Sequence, residues 1–285
     1  MTVLSIAMFF SGSKSIIKPT VALPSQVSKL SPLFISDEVF EKSIATPKNY
    51  PATVNAVAGV VPHHLTADSL IAGFFQSISG GSYNTVIILA PNHFGRSGDI
   101  VTSLLDWNTY NGGLLCDTTI EPEIAKLSNF DVKLNNATVQ NDHSASNMVP
   151  YIQHYLHGAK VAPLLLSNRI TLDMSKKLAE KLYKISRNKK VLVLCSIDFS
   201  HYLTAYQATQ KDSITRTAIK NFDIPRISVM GNSYLDCPPA LMIFLFYCQL
   251  QAAPVTILDN SNSSVLLNED SQSVTSYFIL RAGVH

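Results

Sequence analysis

Two patterns of hydrophobic and polar residues alternate along the chain from about residue 52 onward. Continuous apolar runs predict strands that are covered on both faces, and apolar residues that recur every three or four positions predict amphipathic helices. The predicted strands span residues 56–61, 85–90, 160–166, 190–197, 255–258 and 273–280. The predicted helices span residues 65–78, 172–185, 205–222 and 240–250, the last almost wholly apolar.

Helices that lie between buried strands indicate βαβ units, in which successive strands run parallel. We therefore predict a single α/β domain over residues 51–285, with a central, largely parallel sheet flanked by helices. The preceding residues, from position 11 to position 50, are rich in serine, proline and lysine and show no sustained period. We interpret residues 1–50 as an N-terminal arm that leads to the domain or lies against it.

A short apolar run from Val3 to Phe10 opens the arm. It is too short to span a bilayer, and it lacks the basic segment that precedes the core of a secretory signal. Two interpretations stay open: a truncated signal or anchor, and a simple N-terminal strand. The compartment depends on this choice, because the first interpretation places the protein at or beyond a membrane and the second is compatible with the cytoplasm.

The amino-acid composition indicates that the chain can bury a large hydrophobic core. Of its 285 residues, 46% are hydrophobic and only 15% are charged, which excludes disorder as the main state. The net charge is +2 and no run of lysine or arginine occurs, so we expect neither nucleic acid nor an anionic lipid surface as a partner. The four cysteines form no CxxC pair, and we expect free thiols; they are Cys116, Cys195, Cys237 and Cys248.

Histidines follow three of the predicted strands at the point where each strand ends. His63 and His64 come after the first strand, His93 after the second and His201 after the strand at 190–197. In an open α/β sheet, ligands bind in the crevice beyond the carboxyl ends of the strands. Each histidine taken singly is more simply a surface residue without a role, but three strands that end alike indicate one shared site.

Neutral imidazole is a common metal ligand, so His63 and His93 are candidate ligands of an ion. The best candidate for a third ligand is Cys237, which lies in a Leu-Asp-Cys-Pro-Pro segment at the start of the apolar helix. The positive end of a helix lowers the pKa of a nearby thiol and favours the metal-binding thiolate. The alternative is that Cys237 is a small apolar filler beneath the helix, as we expect for Cys195 and Cys248.

Other polar residues near the same strand ends suit proton transfer. Asp198 and His201 form an Asp-x-x-His pair after their strand, and His143 follows Asp142 in an Asn-Asp-His-Ser segment. Such groups move protons or orient the ligands of a metal. Asp142 is equally suited to cap the helix that follows it.

Six motifs in this order resemble the Memo family, the protein B of the bacterial AmmeMemoRadiSam system, which is similar in fold to the class III extradiol ring-cleaving dioxygenases. They are VVPHH, ILAPNHFG, NDHS followed by VPY, SIDFSHY, DCPP and SVTSY, and the resemblance extends from about Asn55 to Tyr277. The resemblance implies that His63, His93 and Cys237 are the metal ligands. It also implies that Asp198 and His201 line the same pocket, with His143 close by. In the dioxygenases, two histidines and a glutamate hold non-haem iron and a further histidine is the acid/base.

Two positions depart from the pattern that members of this family usually show. Ser146 stands where they carry a glutamate, three residues after the histidine of the NDHS motif, and His64-Leu65 replaces Ala-Gly after the first strand. Without this glutamate, the proton-transfer scheme that the resemblance implies lacks one of its groups, whereas the implied metal ligands are all present.

These observations lead to a ranked set of functions. We expect a metal-dependent oxidoreductase, dioxygenase-like, in which iron or copper is held by His63, His93 and Cys237 and a small molecule is the substrate. His201, oriented by Asp198, and His143 would move protons. The alternative is a non-catalytic module that binds a peptide or small ligand in the same pocket. A third interpretation is zinc-dependent hydrolysis, because three protein ligands and a water form the catalytic zinc arrangement.

Overall fold

The computed structural model describes residues 28–95, 98–269 and 271–283. The apolar run at 3–10 lies outside these residues, and its two interpretations stay predictions. The described strands are β1 Ala56–Val61, β2 Thr85–Pro91, β3 Ile100–Thr102, β4 Trp107–Thr109, β5 Gly112–Leu114, β6 Val132–Leu134, β7 Lys160–Leu166, β8 Val191–Ser196, β9 Phe199–Leu203, β10 Val255–Asn262 and β11 Val274–Gly283.

The described helices are α1 Asp37–Ala45, α2 Asp68–Ile78, α3 Ile120–Ala125, α4 Asn136–Asn141, α5 His143–Ser146, α6 Val149–Tyr155, α7 Leu172–Ser186, α8 Ala205–Lys220, α9 Ile224–Ser228, α10 Pro238–Leu250 and α11 Ser263–Leu267. A 3₁₀ turn at Leu65–Ala67 precedes α2, so the predicted helix at 65–78 is divided between two helix types. None of the helices among these residues is both long and apolar enough to cross a membrane.

The main sheet has the order β10-β11-β1-β8-β2-β7-β3-β6, and β9 pairs with β11 beside this path. Its centre is parallel, because β1 pairs with β8, β8 with β2 and β2 with β7 in the same direction. The flanking pairs of β11 with β1, of β10 with β11 and of β3 with β7 are antiparallel. The predicted α/β domain with a largely parallel central sheet is therefore confirmed.

Alternate side chains of the central strands enter two separate cores. In β2, Ile87 and Leu89 pack on the face that is covered by α7, α9 and α10. Val86 and Ile88 pack on the other face, which α1, α2 and α6 cover. Because successive residues of a strand point to opposite faces, a strand buried on both faces must be apolar throughout, and this is why the sequence shows continuous runs.

Helix α1 lies within the predicted N-terminal arm and packs on the domain. The Ser36 side chain accepts a hydrogen bond from the Val39 backbone and so caps the helix. Phe40 is buried, with its ring centroid 5.2 Å from that of Tyr151 on α6. The later part of the arm therefore contributes to the core on that face of the sheet.

The elements that the sequence did not predict are mostly short. Strands β3 to β6 have three residues each, and helices α3 to α6 have four to seven. Too few periods fit into such segments for a hydrophobic pattern to be distinctive. These segments nevertheless matter for the site, because α5 begins with His143.

Candidate functional site

Three histidine rings meet at the carboxyl edge of the parallel sheet. His63 follows β1 and His93 follows β2, and their ring centroids lie 5.3 Å apart. His143, the first residue of α5, lies 4.9 Å from His63 and 4.6 Å from His93 by ring centroid. One nitrogen from each ring lies within 4.8 Å of the other two. We call these three residues the imidazole cluster.

The members of the cluster differ in exposure. His63 is buried and His143 is half-buried, whereas the side chain of His93 is 35% exposed. The cluster is therefore reached from solvent on the His93 side, while His63 forms its floor. A ligand that enters from that side would meet His93 before it meets His63.

His93 is oriented by the buried carboxylate of Asp142. This carboxylate accepts the His93 backbone N–H and lies 2.9 Å from Nδ1 of the ring. Burial raises the pKa of Asp142, but the hydrogen bonds from His93 and Ser144 outweigh it and bring the pKa to about 2. An ionised carboxylate only accepts hydrogen bonds, so Nδ1 of His93 carries the proton and Nε2 presents its lone pair.

Asp142 performs both of the roles that its position in the sequence allowed. Besides holding His93, it caps α5 by accepting the Ser144 backbone N–H at 3.0 Å. The Ser144 hydroxyl contacts the same carboxylate oxygen at 2.7 Å. Because His143 is the first residue of the helix that Asp142 caps, one carboxylate positions two members of the cluster.

His63 is held on three sides. Its Nδ1 lies 3.2 Å from the Ser196 carbonyl at the end of β8, its backbone N–H donates to Asp198 Oδ1 at 3.1 Å, and its carbonyl accepts from Asn147 at 3.0 Å. Burial, and then the neighbouring His93, lower the pKa of His63 to about 3. A neutral ring whose Nδ1–H donates to a carbonyl again leaves Nε2 as the free lone pair.

Two buried carboxylates approach that nitrogen. Asp198 Oδ2 lies 3.5 Å and Asp236 Oδ2 lies 3.4 Å from Nε2 of His63. Burial raises the pKa of both carboxyls, and the neighbouring Asp198 raises that of Asp236 further. Asp236 Oδ1 is buried and has no hydrogen-bond partner among the described residues. The sequence reasoning passed over Asp236, although it precedes Cys237 in the motif that was singled out.

His201 lies on β9 and donates its backbone N–H to the Asn232 carbonyl at 3.1 Å. Its Nδ1 is buried without a partner among the described residues. Burial lowers the pKa of His201, and the negative charge of Asp198 opposes this shift. The following residue, Tyr202, is 80% exposed and has a φ of 57°, a conformation that costs an aromatic residue strain and that often marks a functional segment.

His64 lies at the rim and not in the cluster. Its side chain is exposed, and its Nδ1 lies 2.7 Å from the hydroxyl of Tyr277 on β11. This contact fixes the ring of His64 against the sheet.

Cys237 lies outside the imidazole cluster. It is fully buried at the start of α10 and belongs to the same apolar core as Cys195 and Ala240. Burial raises the pKa of the Cys237 thiol, so the expected lowering by the helix end is wrong: the loss of hydration outweighs the helix dipole. That Cys237 binds a metal stays a prediction. The four cysteines are free thiols, as expected.

The donor set of the cluster suits a transition-metal ion. Neutral imidazoles with free Nε2 atoms bind zinc, iron and copper alike, and a His93 whose Nδ1–H is held by a carboxylate is the usual arrangement behind a metal-bound histidine. Near these rings, the Oδ1 atom of Asp236 is a buried carboxylate oxygen that has no hydrogen-bond partner among the described residues. The residues present therefore fit a metal ion of this class.

Known proteins match this chain over most of its length. A family model described as Memo-like protein matches residues 37–278. A MEMO1 family protein of Sulfolobus acidocaldarius is 27% identical over 251 residues, which cover 84% of this chain and 87% of the relative. A MEMO1 family protein of Archaeoglobus fulgidus is 24% identical over 227 residues, which cover 75% of this chain and 83% of the relative.

A solved structure shares the fold. The crystal structure of an uncharacterized Escherichia coli K12 protein superposes with a TM-score of 0.53 over 78% of this chain and 98% of that chain, at 11% sequence identity. At this identity the similarity concerns the architecture alone.

Proposed function

This chain belongs to the Memo-like protein family, and on that premise we propose that it is a metal-dependent oxidoreductase that acts on a small molecule at the imidazole cluster. The observation that carries the proposal is the convergence of His63, His93 and His143 within 4.8 Å. Iron or copper is the proposed metal, because imidazoles suit both and both change oxidation state. Zinc, which suits the same donors, would instead support hydrolysis.

The cluster residues have distinct roles in this proposal. His63 and His93 offer Nε2 atoms whose orientation is fixed by Ser196 and Asp142 respectively. The bound metal would supply the redox chemistry and a coordination position for O₂ or substrate. Fixed rings lose little freedom on binding an ion, and this favours tight coordination.

Proton transfer is assigned to His143, which belongs to the cluster, and to His201 beside it. Burial lowers the pKa of His143 to about 4 and also lowers that of His201, so both are neutral bases at pH 7. The negative charge of Asp198 would stabilise the proton when His201 accepts it. The unpartnered Nδ1 of His201 is a free position for such a proton.

The entrance to the cluster favours a substrate with an apolar part. The ring of Phe34 lies 5.8 Å from that of His143 and the residue is 48% exposed. Phe94, next to His93, is 46% exposed. Sites that bind small molecules typically combine aromatic side chains with a few polar groups, and solvent-exposed aromatic side chains beside the cluster match this composition.

Elemental analysis and oxygen consumption test the proposal. We expect about one iron or copper ion per chain after anaerobic purification, and substrate-dependent O₂ consumption in a panel of phenols and thiols that His201→Ala abolishes. The absence of iron, copper and zinc, together with no uptake on titration, would contradict the metal site. Zinc as the native metal would favour the hydrolase.

A non-catalytic binding module is the second candidate, and Ser146 is the observation that favours it. The resemblance to the family implies a glutamate at this position, and the hydroxyl of Ser146 is buried without a partner among the described residues. A bound metal with no turnover in the panel, but with saturable peptide or small-ligand binding that His93→Ala removes, would select this candidate.

A further inference from the structure

Strand β9 pairs irregularly with β11, and His201 lies within the irregular part. Phe199 lies opposite Ser276 on β11. His201 lies opposite Thr275, which is the neighbouring residue of β11. Ser200, between Phe199 and His201, therefore has no opposite residue and is the extra residue of a β-bulge.

A second bulge follows on the other side of His201. Leu203 lies opposite Val274, so Tyr202 is likewise an extra residue of β9. Its φ of 57° lies in the left-handed region. Bulges re-aim the side chains beside them and are frequent next to active sites. The direction of the His201 ring therefore depends on the contacts that keep β9 in this bulged register.

The buried carboxylate of Asp212 on α8 holds the first bulge. The Ser200 hydroxyl donates to Asp212 Oδ1 at 2.7 Å, and the Ser276 hydroxyl on β11 donates to the same oxygen at 2.7 Å. Asp212 is only 5% exposed, and both serines are fully buried. One carboxylate oxygen thus joins the extra residue of β9 to the strand from which it bulges.

The second oxygen of Asp212 is held as firmly as the first. Asp212 Oδ2 accepts from the side chain of Asn260 on β10 at 2.9 Å. Asn260 also donates to the Tyr277 carbonyl at 3.2 Å, and its own side-chain oxygen accepts from Arg216 at 2.8 Å. Asp212 therefore accepts three hydrogen bonds inside the fold, and moving it would leave buried donors without partners.

The opposite edge of β9 is held by the backbone. The N–H groups of Ser200 and His201 donate to the carbonyls of Tyr234 and Asn232, at 2.9 Å and 3.1 Å. These contacts fix β9 against the segment before α10. The irregular side, towards β11, is the one at which a side chain sets the register.

We propose that Asp212 is a positioning residue of the site, which directs the His201 ring towards Asp198 by holding Ser200 in the bulge. The inference rests on the proposed role of His201 in proton transfer and adds what keeps this base in place. A change of register by one residue turns a side chain to the opposite face of its strand. Loss of the bulge would therefore take the His201 ring away from the site.

A matched pair of serine variants tests the proposal. Ser200→Ala and Ser276→Ala each remove a buried hydroxyl that donates to Asp212 Oδ1 at 2.7 Å, so urea unfolding should show similar losses of stability. The position of the His201 ring is followed by its ¹H–¹³C NMR signal in the full-length protein without added metal, assigned with His201→Ala. We expect Ser200→Ala to shift this signal by more than its line width and Ser276→Ala to leave it in place.

A role in stability alone would affect both serine variants alike. An unchanged His201 signal in Ser200→Ala, or equal shifts in the two variants, would overturn the proposal. Asp212→Ala should shift the same signal, with circular dichroism as the check on folding, and a folded Asp212→Ala with an unchanged signal would also overturn it. If Asp212→Ala does not fold, Ser200→Ala decides.

Turnover gives a readout that is tied to the proposed function. In the O₂-consumption assay, Ser200→Ala should lower kcat by about 10–100-fold with little change in KM or metal content, because a misplaced base slows the chemical step. Asp173→Asn, on the surface of α7, is the control that keeps the wild-type kcat. A wild-type kcat in Ser200→Ala would overturn the positioning role. A wild type without turnover would contradict the proposed function, while the NMR comparison would still decide how His201 is held.

Discussion

The Asp142 carboxylate holds His93 by two contacts of 2.9 Å, one to the backbone N–H and one to ring Nδ1. This pairing fixes the tautomer that leaves Nε2 free for an ion. It also fixes the orientation of the ring, because the carboxylate accepts the Nδ1–H.

Asp142→Asn should therefore weaken metal binding by about 10–100-fold, because an amide side chain also carries an N–H₂ donor and no longer fixes the tautomer of His93. Chelator competition measures the loss. Asp173→Asn is the matched control, since Asp173 is an exposed partner of Lys177 on α7 and lies outside the site. An Asp142→Asn affinity equal to that of the control would mean that His93 does not bind the metal through Nε2.

His143→Ala should lower metal affinity, because one nitrogen of the cluster is lost while His63 and His93 keep their supports. The matched control is His154→Ala on α6, whose ring packs against Phe40 and Tyr155. Isothermal titration with Zn²⁺ compares the two variants with the wild type. Equal affinity in both variants would show that His143 acts only in proton transfer.

Two rings of the imidazole cluster, His63 and His143, should stay neutral to unusually low pH. Burial and the neighbouring imidazoles lower the pKa of His143 to about 4 and that of His63 to about 3, so these rings stay neutral at pH 5, where free histidine is protonated. A proton competes with the metal only below the lowered pKa. NMR titration of the metal-free protein should show that the His63 and His143 rings take up protons only below pH 5, whereas titration of these two rings near pH 6.5 would contradict this arrangement.

Asp117 should stabilise the fold above about pH 4. Burial raises its pKa, but hydrogen bonds from Lys189, Thr119 and Thr85 outweigh it and hold the pKa below its ordinary value of 3.8. The unfolded chain therefore takes up the proton first, and this stabilisation is lost as the pH falls below about 4.

Urea unfolding of Asp117→Asn measures this contribution. At pH 7 the free energy of unfolding should drop by about 2 kcal/mol, the typical contribution of hydrogen bonds to a charged group. The difference from the wild type should shrink at pH 3, because the wild-type carboxylate then loses part of its advantage. Asp173→Asn, on the surface, should change stability by less than about 0.5 kcal/mol at either pH.

The sequence by itself determined the architecture and the edge at which the site lies. Continuous apolar runs reveal strands buried on both faces, and the residue after such a strand lies at a known edge of a parallel sheet. Local periodicity therefore predicted that the residues after these strands lie at one edge, although it did not predict the order of the strands. The parallel pairing of β1 with β8 and of β2 with β8 brings His63, His93 and Asp198 to that edge.

Only the tertiary structure decided which side chains at that edge meet. Asp236 and Cys237 are adjacent in the chain, yet one contacts His63 and the other enters the core. His143 joins the cluster because Asp142 both caps α5 and holds His93. The pKa of Cys237 likewise depends on how much water the fold removes, and burial reversed the direction expected from the helix end alone. These outcomes arise from packing between distant segments, which hydrophobic periodicity does not encode.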